Sequence, residues 1–240
     1  MEWQDEGFIL HTQSLGERKQ VVSLFTAIHG RCAGVLYVSQ KNKGWVQCGG
    51  KVNARWGARL ENHIGSWTLE PLQANTAYLL DAPGPLAALL SAASLCQIAL
   101  PERQTYPQLY ARFEALIKDL ISPTWARSYV FFELSLLEEL GYGLDLKTCA
   151  VTGSPLGLVA VSPRTGRAVC EEAAQPYKEK LLSLPAFICQ ENSETTPEDK
   201  EILDALTLTG YFLERYLLGR TQPAARARLL QRFSKVRKCA

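Results

Sequence analysis

The hydrophobic periodicity of this chain changes once, close to residue 80. Before that point, short runs of β-branched and aromatic residues alternate with polar ones. From about residue 83, apolar residues recur at helical spacing. A chain of 240 residues, of which 47% are hydrophobic, is long enough to bury one large core or two ordinary ones. We therefore predict an α+β protein with a β domain at residues 1–78 and a helical domain at residues 79–240.

The β domain predicts a small closed barrel of the OB-fold type. Five or six short strands fit into its length, and no helical pattern interrupts them. The candidate strands lie at residues 8–12, 21–25, 33–38, 52–60 and 66–69. A polar loop at residues 39–44 follows the third strand. Closing the sheet on itself is the usual way in which so many short strands avoid exposed edges.

The helical domain predicts a bundle with one irregular insertion. Apolar stripes indicate helices at residues 86–98, at 107–120, at 125–140, from an N-cap at Thr196 to Gly219, and after Pro223. The third of these helices is apolar over more than half its circumference, so we expect it to be the most buried. Glycines and prolines at about residues 145–175 predict irregular structure there.

The net charge of +2 conceals a strong segregation of charge along the chain. Residues 15–60 contain eight cations and one acid, Glu17, and residues 220–240 contain seven cations and no acid. Residues 81–219 contain 11 cations and 18 acids. Two basic ends around an acidic body indicate a polyanion partner, although solvated charged surfaces would give the same pattern.

Several short motifs occur in a defined order: residues 10–12, 16–17, 25–26 and 29–31 near the start, 132–142, 144–146, Cys149, 162–166 and Cys170 in the middle, and Arg226 and residues 229–230 near the end. Their order and spacing resemble those of the RecO family of bacterial recombination mediators. The resemblance spans nearly the whole chain. It implies an N-terminal OB-fold and a helical domain with a zinc-ribbon-like insertion.

The resemblance implies a mediator that binds single- and double-stranded DNA and anneals complementary strands. With RecR, it would help to load RecA onto DNA coated with single-strand-binding protein, and RecF is a further candidate partner. We expect a protein of the cytoplasm, associated with the nucleoid, because the acidic start is no secretory signal and the seven cysteines indicate reduced thiols. We expect neither a cofactor nor a catalytic site, since no P-loop, GxSxG, HExxH or GxGxxG motif is present.

Two sets of cations are candidates for DNA contact. An OB-fold binds single strands through a cationic groove and stacking aromatic rings. In the barrel the candidates are Arg31, Lys41, Lys43, Trp45, Lys51, Arg55 and Arg59, and we expect the Trp45 ring to be exposed. In the last helix, Arg226, Arg228 and Arg232 are expected on a solvated face, as a second surface. Tyr37 and Trp56 could also stack, although aromatic rings in a small barrel usually fill its core.

The resemblance also suggests a partner site and a metal site. The acidic tail of single-strand-binding protein binds the helical domain of RecO proteins, and Arg127 and Phe131 are the candidates here, unless another helix covers them. Zinc-binding members carry two CxxC pairs, whereas this chain reads Cys149-Ala150-Val151-Thr152 and Cys170-Glu171-Glu172-Ala173. Because structural zinc needs four ligands, we predict no metal, although Cys149 and Cys170 can still lie near one another.

Two rival interpretations stay open on the sequence. One is an OB-fold protein that binds RNA. The other is an adaptor whose basic ends bind acidic proteins.

Overall fold

The structure is a computed structural model that describes residues 1–40, 42, 44–60, 63–73, 79–190, 196–219 and 222–236, without the side chains of 235 and 236. The chain divides into two compact units, Met1–Ile117 and Lys118–Ala240. Over the described residues, no helix is long and apolar enough to cross a membrane.

The first unit begins with a closed five-stranded barrel, which confirms the predicted fold. The strands are β1 (Glu2–Ser14), β2 (Lys19–Thr26), β3 (Gly30–Tyr37), β4 (Lys51–Gly57) and β5 (Gly65–Gln73). Their order around the barrel is β1-β2-β3-β5-β4. All neighbours pair antiparallel except β3 and β5, which close the barrel in parallel.

Tryptophan rings fill the barrel, and glycines make room for them. Trp56 and Trp67 are buried and donate their indole N–H groups to the carbonyls of Ala33 and Val22, at 3.2 and 3.0 Å. Gly34 and Gly65 pair across the β3–β5 seam. A Cβ atom at Gly65 would lie 2.2 Å from the Trp56 ring, and one at Gly34 would lie 2.7 Å from Trp67. The seam therefore depends on residues without side chains.

Two helices of the first unit cover part of the outer barrel wall. They are α1 (Pro83–Ala99) and α2 (Pro107–Asp119), which begin near the predicted positions. Outward-facing Phe8 and Phe25 are fully buried against Tyr110 and Phe113 of α2. The apolar stripe predicted for α1 is only partly internal, because Ile98 is exposed.

The second unit is built around α3 (Trp125–Glu139). Its other described helices are α4 (Glu171–Ala174) with a 3₁₀ helix at Gln175–Lys180, α5 (Ala186–Cys189), α6 (Asp199–Leu213) with a π-helical turn at Glu214–Leu218, and α7 (Ala224–Val236). Tyr129, Val130 and Phe132 of α3 are fully buried, as expected for a central helix. The N-cap of α6 is Glu198, which forms a capping box with Glu201, so the predicted cap at Thr196 is wrong.

The insertion is more regular than predicted. Its strands β6 (Leu158–Val161) and β7 (Ala168–Cys170) form a small antiparallel sheet with β8 (Leu182–Ser183), which follows the predicted insertion, in the order β7-β6-β8. Short strands between glycine turns lack the repeated alternation that would reveal them in the sequence.

Candidate nucleic-acid interface

The outer face of strands β2 and β3 is open at one end and covered at the other. Lys19 pairs with Tyr37 and Val21 with Val35, and these four side chains face outward. At the other end, Phe25 packs on α2. The strand 2–3 face and the adjoining loops are where OB-folds hold oligonucleotides. The open end of β2 and β3 therefore leaves room for such a ligand.

Tyr37 is the exposed aromatic residue at the open end. Its relative exposure is 63%, and the Lys19 ammonium lies 5.1 Å from its ring centroid. A polar groove runs beside it, where the β1–β2 turn meets the segment after β3. We call this the turn groove. Its lining residues are Ser14, Gly16, Glu17, Arg18, Lys19, Gln20, Val38, Ser39 and Gln40.

A backbone hydrogen bond joins the two segments that form the turn groove, since the amide of Val38 donates to the carbonyl of Arg18 at 2.9 Å. Within the segment after β3, the Asn42 side chain donates to the carbonyl of Tyr37 at 2.8 Å. The predicted DNA-contacting residues Lys41 and Lys43 lie outside the described residues. In the chain, they directly follow the groove residues Ser39 and Gln40 and flank Asn42.

Two predicted barrel cations face acidic groups of the helical segments in the same unit. Arg31 donates to the carbonyl of Leu100 at 2.7 Å and to Glu102 at 3.2 Å. Lys51 bridges Glu114 and Glu6, each at 2.9 Å. The hydrogen bond with Glu114 raises the pKa of Lys51; burial opposes this rise, and Glu6 adds to it. Because both cations already form ion pairs with carboxylates, their attraction for a phosphate is reduced.

The remaining predicted barrel residues are spread over different surfaces. Arg55 and Arg59 are exposed. Arg55 lies on the outer face of β4, opposite Gln4 and Thr68 and away from the turn groove. Trp45 is half-buried and packs against the barrel core, so the expectation of an exposed ring is wrong.

The last helix presents only part of its predicted basic face. Arg228 and Arg232 of α7 are exposed. Arg226 is 1% exposed and forms two hydrogen bonds with the carboxylate of Glu133, at 2.7 and 2.9 Å. Its expected place on a solvated face is therefore wrong, and Arg226 belongs to the core of the second unit.

The predicted partner-binding residues are also internal. Arg127 is buried and donates to the carbonyl of Gln190 at 2.7 Å, and its guanidinium lies 5.5 Å from the Phe131 ring. Phe131 is buried against Phe187 of α5, with ring centroids 6.3 Å apart. The two residues are adjacent, as their helical spacing indicates, but a neighbouring helix of the same unit covers them.

Cys149 and Cys170 lie side by side, as the sequence allowed. The backbone amide of Cys170 donates to the Cys149 sulfur at 3.3 Å. The residues three positions after each cysteine are Thr152 and Ala173, a hydroxyl and a methyl in place of two thiolates. In the described part of the chain, no three His, Cys, Asp or Glu side chains converge on one point. This donor set does not fit a tetrahedral zinc site, which needs four ligands.

Two cations of the turn groove, Arg18 and Lys19, were not among the predicted DNA contacts. Their position became clear only from the strand register, which places Lys19 opposite Tyr37. The available signal was their place two and three positions after Gly16, between two predicted strands, because loops at the end of a barrel are frequent binding sites.

A closed barrel with an open strand 2–3 face, followed by a helical unit, defines an OB-fold protein of the α+β class. Family models for the recombination protein O N terminal and C terminal domains match residues 1–74 and 83–223, respectively. The chain belongs to the recombination protein O family.

Three similar proteins are each called DNA repair protein RecO. That of Caulobacter sp. (strain K31) is 43% identical over 97% of this chain and 98% of its own length. That of Phenylobacterium zucineum is 42% identical over 98% of both chains. That of Rhodospirillum centenum is 41% identical over 98% of this chain and 96% of its own length.

Proposed function

We propose that this chain is a non-enzymatic DNA repair and recombination protein that binds single-stranded DNA across the turn groove and Tyr37. Family membership and the name shared by its relatives support the role in DNA repair and recombination. The location of the interface rests on one observation. Tyr37 is exposed, Lys19 stands over its ring, and both border a groove that Arg18 also lines.

This arrangement supports binding that does not depend on base sequence. Exposed cations attract phosphates, and an aromatic ring offers a stacking surface to any base. Arg18 and Lys19 outnumber the one acid of the groove, Glu17, and Lys41 and Lys43 follow in the adjoining loop. Because the attraction is largely electrostatic, we expect the affinity to fall steeply with salt.

Strand annealing and binding of double-stranded DNA are further parts of the proposal. An annealing protein must hold two strands, so it needs more than one cationic surface. Arg228 and Arg232 lie two and six residues after Arg226 on α7, and both are exposed. They are our candidates for the second surface, and Arg226 is removed from it.

The family resemblance supports the proposed partners RecR, RecA and RecF, and DNA coated with single-strand-binding protein. It also supports a place in the cytoplasm, near the nucleoid. The tail of single-strand-binding protein has no open site at Arg127 and Phe131, because Phe187 packs on Phe131. A tail that binds there would first have to displace α5.

Fluorescence anisotropy with a labelled single-stranded oligonucleotide tests the interface. The variant Arg18→Glu/Lys19→Glu should bind at least about tenfold more weakly at low salt, because two phosphate contacts become repulsive. The slope of log affinity against log salt should also become shallower by about 1.4, the contribution of two phosphates on a single strand.

The matched control is Lys178→Glu/Lys180→Glu, which makes the same charge change at exposed positions of the second unit. It should bind almost as wild type does. Equal losses of affinity in both variants would mean that net charge alone causes the effect. Wild-type affinity of the Arg18→Glu/Lys19→Glu variant would show that DNA does not bind at the turn groove. A clear preference for RNA over single-stranded DNA of equal length would favour an RNA-binding protein. If no oligonucleotide bound even at low salt, the interpretation as an adaptor for acidic proteins would be favoured.

A further inference from the structure

The cysteine pair of the insertion is enclosed by its own hydrogen bonds. Cys149 begins a tight turn in which its amide donates to the carbonyl of Ser154 at 2.8 Å and its carbonyl accepts from Gly153 at 2.9 Å. Cys170 ends β7. Both side chains are buried, Cys149 to 1% relative exposure. Neither sulfur is therefore placed to meet a solvent-borne reagent.

Three backbone amides surround the Cys149 sulfur. Val151, Thr152 and Cys170 donate to it at 3.4, 3.5 and 3.3 Å. Convergent N–H groups favour a sulfur that carries negative charge. In a zinc site the metal ion would balance such a charge, whereas here the amide dipoles are directed at it.

Thr152 contacts both sulfurs. Its hydroxyl oxygen lies 3.6 Å from the Cys170 sulfur, and its backbone amide donates to the Cys149 sulfur at 3.5 Å. A hydroxyl can donate one hydrogen bond and accept others, so this one can exchange a hydrogen bond with the Cys170 thiol. The amide of Ser154 donates to the same oxygen at 3.3 Å and orients it.

The position that would supply a fourth ligand is apolar. Ala173 is half-buried and packs against the cluster formed by Cys149, Ala160, Val169, Cys170 and Ala174. We propose that this pair forms a metal-independent knuckle, in which the Thr152 hydroxyl and three backbone amides hold together the segments that a zinc ion joins in four-cysteine relatives.

Metal analysis of the full-length protein, expressed with zinc in the medium, tests the proposal directly. Wild type should contain far less than one zinc ion per chain, and a chelator should leave its thermal unfolding unchanged. Stoichiometric zinc, or a melting temperature that falls on chelation, would overturn the proposal.

A second test restores the ligands. The variant Thr152→Cys/Ala173→Cys should take up about one Co²⁺ per chain, with the visible absorption of tetrahedral thiolate coordination, because four sulfurs then surround one point. Wild type should give no such absorption. Tetrahedral absorption from wild type would contradict the proposal, and so would a folded double variant that takes up no Co²⁺.

Single variants of Thr152 test the hydroxyl itself. Thr152→Val should lower the melting temperature by about 2 °C, and Thr152→Ser should retain most of the wild-type value, since one part-buried hydrogen-bond bridge from an exposed threonine is lost or kept. Thr207→Val, at an exposed threonine of α6, is the control and should change little. Equal melting temperatures for Thr152→Val and wild type would show that the hydroxyl does not stabilise the knuckle.

Discussion

Arg226 of α7 and Glu133 of α3 form a buried ion pair in which two guanidinium nitrogens meet both carboxylate oxygens, at 2.7 and 2.9 Å. Tyr129 donates to the same carboxylate at 2.6 Å, and Thr209 donates to it at 2.5 Å. Each oxygen of Glu133 thus accepts two hydrogen bonds. A Cβ atom at Gly210 would lie 2.8 Å from the guanidinium, so α6 needs a glycine where it passes the pair.

Removing the charge of Glu133 should destabilise the protein strongly. Glu133→Gln leaves the buried Arg226 without its counter-ion, which costs about 3–5 kcal/mol in free energy of unfolding. Glu138→Gln, at an exposed position of the same helix, should stay within about 0.5 kcal/mol of wild type. Urea unfolding measures both, and similar midpoints for the two variants would contradict the role of the pair.

Lys51 should matter for stability more than for DNA. Lys51→Met leaves Glu114 and Glu6 without their shared cation, which costs about 1 kcal/mol because both acids are partly solvated. Oligonucleotide affinity at fixed salt should change by less than about twofold, since this cation is already neutralised. A loss as large as that of Arg18→Glu/Lys19→Glu would show that Lys51 contacts DNA after all.

The Tyr37 ring should contribute to binding through stacking. Tyr37→Ala should weaken single-stranded DNA binding by about 1–3 kcal/mol, whereas Tyr37→Phe should keep most of the affinity. Tyr177→Ala removes an equally exposed ring of the second unit and serves as the control. Titration by fluorescence anisotropy compares the DNA affinities of the three variants. Wild-type affinity of Tyr37→Ala would show that the ring does not stack on DNA.

The Cys149 thiol should make stability depend on pH. Burial raises the pKa of Cys149, but hydrogen bonds from the Thr152 side chain and the backbone amides lower it by a larger amount. The net result is a pKa that falls from 9.0 to about 6. A pKa lower in the folded than in the unfolded state gives stability that is complete above pH 9 and is lost as pH falls towards 6.

The stabilising difference between wild type and Cys149→Ala should therefore grow between pH 6 and pH 9 and be constant below that range. Chemical unfolding at a series of pH values measures it. A difference independent of pH would mean that Cys149 stays a neutral thiol in the folded protein.

The β3–β5 seam should not tolerate a methyl group. Gly65→Ala places a carbon atom 2.2 Å from the Trp56 ring, and overpacking of this kind costs about 1–3 kcal/mol. Gly44→Ala is a suitable control, because a Cβ atom there meets nothing within 4 Å. Thermal unfolding should separate the two variants clearly, and an unchanged melting temperature for Gly65→Ala would contradict this packing.

The fold was largely predictable because its signals are local. Alternation and helical spacing located the barrel strands and the main helices. They did not give the full length of β1. Its first residues are acidic in sequence, yet they pair with β4, beginning with Glu2 opposite Gly57. Pairing with a distant strand overrides local preference there. The N-cap of α6 was missed because threonine is a preferred N-cap residue and glutamate is not, although Glu198 occupies that position.

The candidate site was less predictable, because charge partners are distant in the chain. Lys51 meets Glu114 and Arg31 meets Glu102, across separations that periodicity does not report. For Arg226 a local signal existed. It lies three, four and seven residues before Leu229, Leu230 and Phe233, which is the spacing of the inward stripe of α7. Its buried partner, 93 residues away, explains how a cation can occupy that stripe.

The parallel closure of the barrel also affects how the protein is made. Its hairpins join strands that are neighbours in the chain, but the β3–β5 seam requires the last strand, which ends at Gln73. A nascent chain that has emerged only as far as Gly57 is an unclosed sheet, with two free edges and an exposed interior. On the ribosome, this segment is therefore vulnerable to proteases and to aggregation until β5 has been synthesised.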